Sequence, residues 1–170
     1  MEQANVVIIE SSLITPTSLR EISLKWTKDL LDKEIYEDLM ILNNDYPDIL
    51  SWYEDKIINK ILENTNEREV FLAFYGSDLA GIMILKKDSL EKKICTIRIR
   101  EQFRGKKIGT EFFNRAISWL GEKYPLITVS ETNKESFDGI MKKFGFEIVD
   151  IKEDLYMKGK KEYIYNGRVK

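Results

Sequence analysis

Residues 94–110 read Ile-Cys-Thr-Ile-Arg-Ile-Arg-Glu-Gln-Phe-Arg-Gly-Lys-Lys-Ile-Gly-Thr. A β-rich apolar run leads into a basic glycine turn and then into a helical pattern. A helix N-terminus exposes up to four unpaired N–H groups and a partial positive charge. Small residues let an anion reach those groups. Arg104, Lys106 and Lys107 add three cations in the same turn. Such a turn can cradle a diphosphate. It is neither a Walker loop nor a three-glycine dinucleotide fingerprint, because both spacings are absent. On these residues alone, a plain helix start with exposed lysines is the other reading.

The chain of 170 residues contains no histidine and a single cysteine, Cys95. That removes Ser-His and Cys-His pairs, His-ligated zinc and disulfides within the chain. No metal site is expected. Net charge is −2, but unevenly spread. Residues 1–70 hold 15 acids and 7 bases, whereas residues 86–110 hold 9 bases and 3 acids. A basic block in an acidic chain points to one focused anion site more than to a nucleic-acid surface. No run of residues reads as a secretory signal or a membrane span. With the lone thiol, this predicts a cytoplasmic protein.

The elements that must position the turn follow from periodicity. Residues 6–10 form a first strand. Thr15-Pro16-Thr17-Ser18 signals a helix start, and apolar residues at helical spacing continue to Leu42. Tyr46-Pro47-Asp48 opens a second helix. Residues 69–75 and 79–85 read as a hairpin across Gly76-Ser77-Asp78, and residues 93–99 as the next strand. A helix over 110–123, a strand over 126–129, a helix over 134–143 and two closing strands complete the order. The fold class is α/β (α+β): a central mixed, mostly antiparallel, twisted sheet of about six to seven strands with helices on both faces. One domain over 1–170 is expected, with a helical substrate side over 17–64.

Arg104-Gly105-Lys106-Lys107-Ile108-Gly109 after a strand resembles the acetyl-CoA loop of the GNAT superfamily of N-acetyltransferases. Arg104 and Gly109 match that motif; Lys107 stands where its first glycine usually stands. Residues 133–146, an Asn after a strand, a short helix and then Gly-Phe, resemble the second family motif. The resemblance implies an acetyl-CoA-binding core over 93–146. It gives Ile97 and Ile99 backbone contacts to the pantetheine arm and acetyl carbonyl. The N–H groups of Gly105, Lys106, Lys107, Ile108, Gly109 and Thr110 would hold the pyrophosphate, helped by Arg104. Asn133 and Ser136 would lie beside the lower pantetheine. A Cβ at Lys107 would narrow the approach while its charge compensates.

The family's usual catalytic positions carry Met141 instead of Tyr and Lys93 instead of Glu. Candidates that remain are Glu131, a proton acceptor at the end of a strand, and Ser130, a hydrogen-bond donor to the leaving sulfur. For Glu131 the alternative is a surface turn residue. Cys95 reads as a small buried hydrophobe. Tyr156, Tyr163 and Tyr165 read as packing or as site border, Trp26 and Trp52 as core or substrate groove. Asp45, Asp48, Glu54 and Asp55 either attract a cationic amine or favour a helix N-terminus. A thioester arrives activated, so positioning and backbone dipoles suffice without imidazole. The expected function is direct acetyl transfer from acetyl-CoA to a primary amine in a ternary complex. A polyamine, an aminoglycoside-like amine or a protein amine are the candidate acceptors. The missing Tyr and Glu also motivate a non-catalytic acyl-CoA-binding module. The strand Tyr163-Ile164-Tyr165 is expected at a sheet edge, open to pairing with a second copy.

Overall fold

The computed structural model describes residues 6–10, 28–59 and 66–169. The helix-start signal Thr15-Pro16-Thr17-Ser18 and Trp26 lie outside the described residues. Seven strands form one sheet: β1 (Val6–Glu10), β2 (Arg68–Tyr75), β3 (Asp78–Lys87), β4 (Lys92–Ile99), β5 (Leu126–Ser130), β6 (Ile148–Glu153) and β7 (Lys161–Tyr165). Their order is β1-β2-β3-β4-β5-β7-β6. Among the described residues four helices accompany them: α1 (Lys28–Ile41), α2 (Ile49–Trp52, continued by a π-turn segment Tyr53–Ile58), α3 (Ile108–Leu120) and α4 (Lys134–Lys143). Among the described residues no helix is long and apolar enough to cross a membrane.

Strands β2 and β3 are apolar at nearly every position because both faces of the sheet are covered. On one face, Phe71, Ala73, Met83 and Leu85 pack with Phe112, Phe113 and Ala116 of α3 and Met141 of α4. On the other, Val70, Leu72, Phe74, Ile82 and Ile84 pack with Ile35 and Leu39 of α1 and Ile49 and Ile57 of the α2 region. Alternation along each strand sends successive side chains to opposite cores.

All strand pairs are antiparallel except β4 with β5, and that parallel pair is short. Its register contains only Lys93 opposite Leu126 and Ile94 opposite Ile127. The cause is visible one residue on. Between β3 and β4 the register runs from Leu85–Ile94 to Ile84–Thr96, so Cys95 is an extra, bulged residue. A bulge bends its strand and increases the local twist. Strand β4 therefore turns away from β5, and the sheet opens between them.

The closing hairpin differs from expectation. Tyr163-Ile164-Tyr165 is not at an edge: β7 lies between β5 and β6. Ile164 and Tyr165 are 0% and 2% exposed, a burial that needs a strand on each side and a core beneath. The edge is β6, whose six residues are all exposed.

Candidate active site

A cavity of about 260 Å³ lies where β4, the glycine turn, α3 and α4 meet. Ile97, Ile99, Arg104, Gly105, Gly109, Asn133 and Ser136 all line it, together with Arg98, Phe113, Phe137 and Ile140. Gly109 sits in close packing: a Cβ there would stand 3.0 Å from Ile140 Cδ1 and 3.4 Å from Ile99 Cδ1, so those side chains would have to shift. Gly105 has φ +78° and open space around it, so the turn stays accessible to a ligand. Lys107 is the residue immediately before α3 and has φ +65°, the left-handed region that glycine occupies without strain. The conformation of a motif glycine is thus kept without the glycine. Lys106 turns aside, with Nζ 5.3 Å from the Tyr75 ring centre. Ile108 is buried in the core, so only its backbone faces the turn. Thr110 Oγ1 accepts a hydrogen bond from Lys143 Nζ at 3.1 Å. Lys143 on α4 therefore adds a cation beside the turn that local sequence reading missed. The open turn, the N-terminus of α3 and these cations fit a diphosphate carried on a long, mostly apolar arm.

The opening between β4 and β5 forms a throat of about 40 Å³. Cys95, Thr96 and Ile97 line one side, and Thr128, Val129 and Ser130 the other. Leu42, Ile97, Asn133 and Phe137 line both throat and first cavity, so the two adjoin. Ser130 is 2% exposed and accepts a hydrogen bond from Asn133 Nδ2 at 3.2 Å. Glu131 is exposed, and its Oε1 accepts the Lys161 N–H at 3.2 Å. It is not among the residues lining the throat or the cavities on either side. Met141 is buried in the core.

Beyond the throat lies a second cavity of about 340 Å³. Tyr46, Cys95, Thr96 and Thr128 are common to both. Tyr46 donates its hydroxyl hydrogen to Glu162 Oε1 at 2.8 Å. Glu162 is 4% exposed, and burial pushes its carboxyl above the usual range. Hydrogen bonds from Tyr46 and Thr128 and the charge of Lys93 oppose that rise without cancelling it. Burial also pushes Tyr46 up, reinforced by the Glu162 charge. A raised carboxyl joined to a phenol at the mouth of a throat is equipped to take up a proton.

Neither residue was a sequence candidate. Tyr46 read as a helix-opening residue, and Glu162 drew no reading. The available signal was an acid directly before Tyr163-Ile164-Tyr165 in the closing strand. The loop that carries Tyr46 is pinned by its neighbour: buried Asp45 accepts from Lys160 Nζ at 2.6 Å and from Thr132 Oγ1 at 3.1 Å.

The other acids of the expected cluster disperse. Glu54 accepts from the Tyr36 hydroxyl at 3.0 Å, Asp55 is exposed, and only Asp48 reaches the second cavity. Trp52 and Tyr156 line that cavity. Trp119 sits elsewhere, under Lys87 Nζ at 4.1 Å. Burial pushes the Cys95 thiol up, which leaves it protonated.

Comparison with known proteins agrees with this geometry. Against solved structures, the chain is similar to a putative GNAT acetyltransferase from Desulfovibrio desulfuricans, with 13% identity, TM-score 0.65, and coverage of 95% of this chain and 97% of that one. It is similar to a Bacillus subtilis acetyltransferase in complex with CoA, with 18% identity, TM-score 0.57, and coverage of 97% and 100%. Nourseothricin acetyltransferase matches at 17% identity and TM-score 0.53 over 58% of this chain; the chain spans 64% of its length. These identities speak to the fold. No curated protein matches by sequence. The sequence pattern of the acetyltransferase (GNAT) family covers residues 32–146, more than half of the chain, and the chain belongs to that family.

Proposed function

We propose that the protein transfers the acetyl group of acetyl-CoA directly to a primary amine. One observation carries this reading: two cavities meet through a throat in the sheet, with a phenol–carboxyl pair on the far side. The first cavity suits the CoA arm, and the second is left for the acceptor. Peptide groups facing each other across the throat are not paired with one another past Ile94 and Ile127, so they are available to orient a thioester.

The amine nitrogen attacks the carbonyl carbon, a C–N bond forms, and the C–S bond breaks. An ammonium acceptor must lose one proton before attack and the nitrogen a second one afterwards. One of these returns to the departing thiolate and the other leaves. Tyr46 is placed to accept a proton on its oxygen while passing its own to Glu162. Ser130, held by Asn133, is placed to donate to the sulfur. Proximity supplies much of the rate, since well-oriented reactions reach effective molarities of about 10⁵ M.

The test is thiol release from acetyl-CoA in the presence of a broad panel of amines, with product identified by mass spectrometry. An acetylated amine and an equal yield of free CoA are expected. Acetyl-CoA binding with no amine-dependent thiol release would leave an acyl-CoA-binding module and sink this reading.

A further inference from the structure

The second cavity carries a charge pattern that the acetyl transfer does not use. Arg68 stands opposite Lys86 between β2 and β3, and Lys86 stands opposite Lys93 between β3 and β4. Residues directly opposite on neighbouring strands share a face at about 5 Å, and like charges so placed repel. All three cations line the cavity. Carboxylates cover only the middle one. Lys86 Nζ lies 2.7 Å from Glu91 Oε1 and 3.1 Å from Asp88 Oδ2.

Among the described residues, neither Arg68 nor Lys93 is in an ion pair. Arg68 Nη1 donates to the Cys95 sulfur at 3.4 Å, and Lys93 Nζ donates to the Tyr156 hydroxyl at 3.1 Å. Both partners are uncharged. Asp48 is at the exposed rim, and one Glu162 oxygen is taken by Tyr46. Each cation also lies by a ring, Arg68 5.9 Å from the Trp52 centre and Lys93 5.7 Å from the Tyr156 centre, and the Glu91 and Glu162 charges act on Lys93 from a distance, so among the described residues neither cation touches a carboxylate directly. Trp52 and Tyr156 supply an apolar body for the same cavity.

We infer that the acceptor is an amine bearing a carboxylate, which seats between Arg68 and Lys93. The inference rests on the acetyltransferase reading for its amine, not for its anion. It reverses the cationic acceptor expected from the acid-rich first half. Cys95 and Thr96, two and three residues beyond Lys93, line both this cavity and the throat, so the anion site and the throat share one enclosure.

The test compares ε-acetamidocaproate with its primary amide by calorimetry on CoA-saturated protein. The acid is expected to bind about tenfold tighter, the scale of one charge-assisted hydrogen bond. Arg68→Gln and Lys93→Gln should each erase most of that preference, Arg68→Lys should keep part of it, and the variants' CoA affinity reports an intact fold. Equal affinities, tighter binding of the amide, or no binding of either at about 10 mM overturns the inference, as does a preference that survives both Gln variants. The wild-type comparison decides even if a variant fails to fold. Thiol release with ε-aminocaproate, hexylamine and spermidine separates the two claims. Acid-selective binding without turnover would refute only the enzyme reading. Turnover that favours spermidine would refute only the anion site.

Discussion

Glu162 illustrates how one side chain sets two opposing effects. Burial raises its carboxyl above the ordinary 4.5. The unfolded chain ionises near that ordinary value, and the folded chain ionises higher. The folded state therefore holds the extra proton, and the stability this contributes is complete below 4.5 and drains away as pH rises through the folded value. Glu162→Gln keeps an acceptor for the Tyr46 hydroxyl and removes the titration. Urea denaturation should show the variant gaining on the wild type as pH rises, with the advantage lost as pH falls through 4.5. The same variant should lose kcat by about a hundredfold, the low end of general-base contributions. A variant that is more stable at about pH 8 and fully active would remove Glu162 from the proton path. Lys107 gives a second test at this scale. A left-handed φ costs a non-glycine residue about 1 kcal/mol. Lys107→Gly should be more stable than Lys107→Ala by about that amount in urea, since both lose the same charge.

Elements hold these residues through contacts that cross long stretches of chain. Asp38 of α1 is 3% exposed, and its carboxylate accepts Arg100 Nε at 3.0 Å while Arg98 Nε lies 3.8 Å away. Arg100 also bonds Glu34. This network fastens α1 to the end of β4, the stretch that lines the first cavity. Asp38→Ala leaves two arginines without their shared acid and should cost about 3 kcal/mol in urea denaturation. Acetyl-CoA affinity should fall in the same variant, because Arg98 and Ile99 line that cavity. The strand and helix order was legible in the sequence, since each element announces itself within a few residues by apolar period or turn chemistry. Much of the lining of the first cavity was legible for the same reason: Arg104, Gly105, Gly109 and Asn133 belong to local patterns. The hydrogen-bonded pair of Tyr46 and Glu162 was not. Tyr46 and Glu162 are 116 residues apart, and they meet only because β7 inserts between β5 and β6. Chain order suggests the opposite placement for β7, so the misplaced edge strand and the missed carboxyl share one cause. The cation row was hidden likewise: Arg68, Lys86 and Lys93 become neighbours only through two strand registers.

At the scale of the whole molecule, the sheet acts as a partition with one opening. The first and second cavities adjoin the throat through different lining residues, so filling one does not obstruct the other. The proposed transfer has both substrates bound together, with acetyl passing between them without resting on the protein. Initial rates measured against both substrates should give intersecting double-reciprocal lines. Parallel lines would require an acetylated side chain. The one cysteine at the throat, Cys95, is a protonated thiol and a poor nucleophile. The partition also joins the two halves of the fold through ligand. The first cavity is built from β4, α3 and α4 with Leu42 just after α1. A ligand there binds only the assembled sheet and stabilises it by about 2.7 kcal/mol at a hundred times its Kd. For a chain of this size each kcal/mol shifts the melting temperature by about 2–4 °C. Acetyl-CoA at that saturation should therefore raise Tm by roughly 5–10 °C in a thermal melt. Arg104→Ala should shrink the rise, since that side chain lines the cavity beside the glycine turn. An unchanged Tm at saturating acetyl-CoA would mean the ligand does not use this cavity.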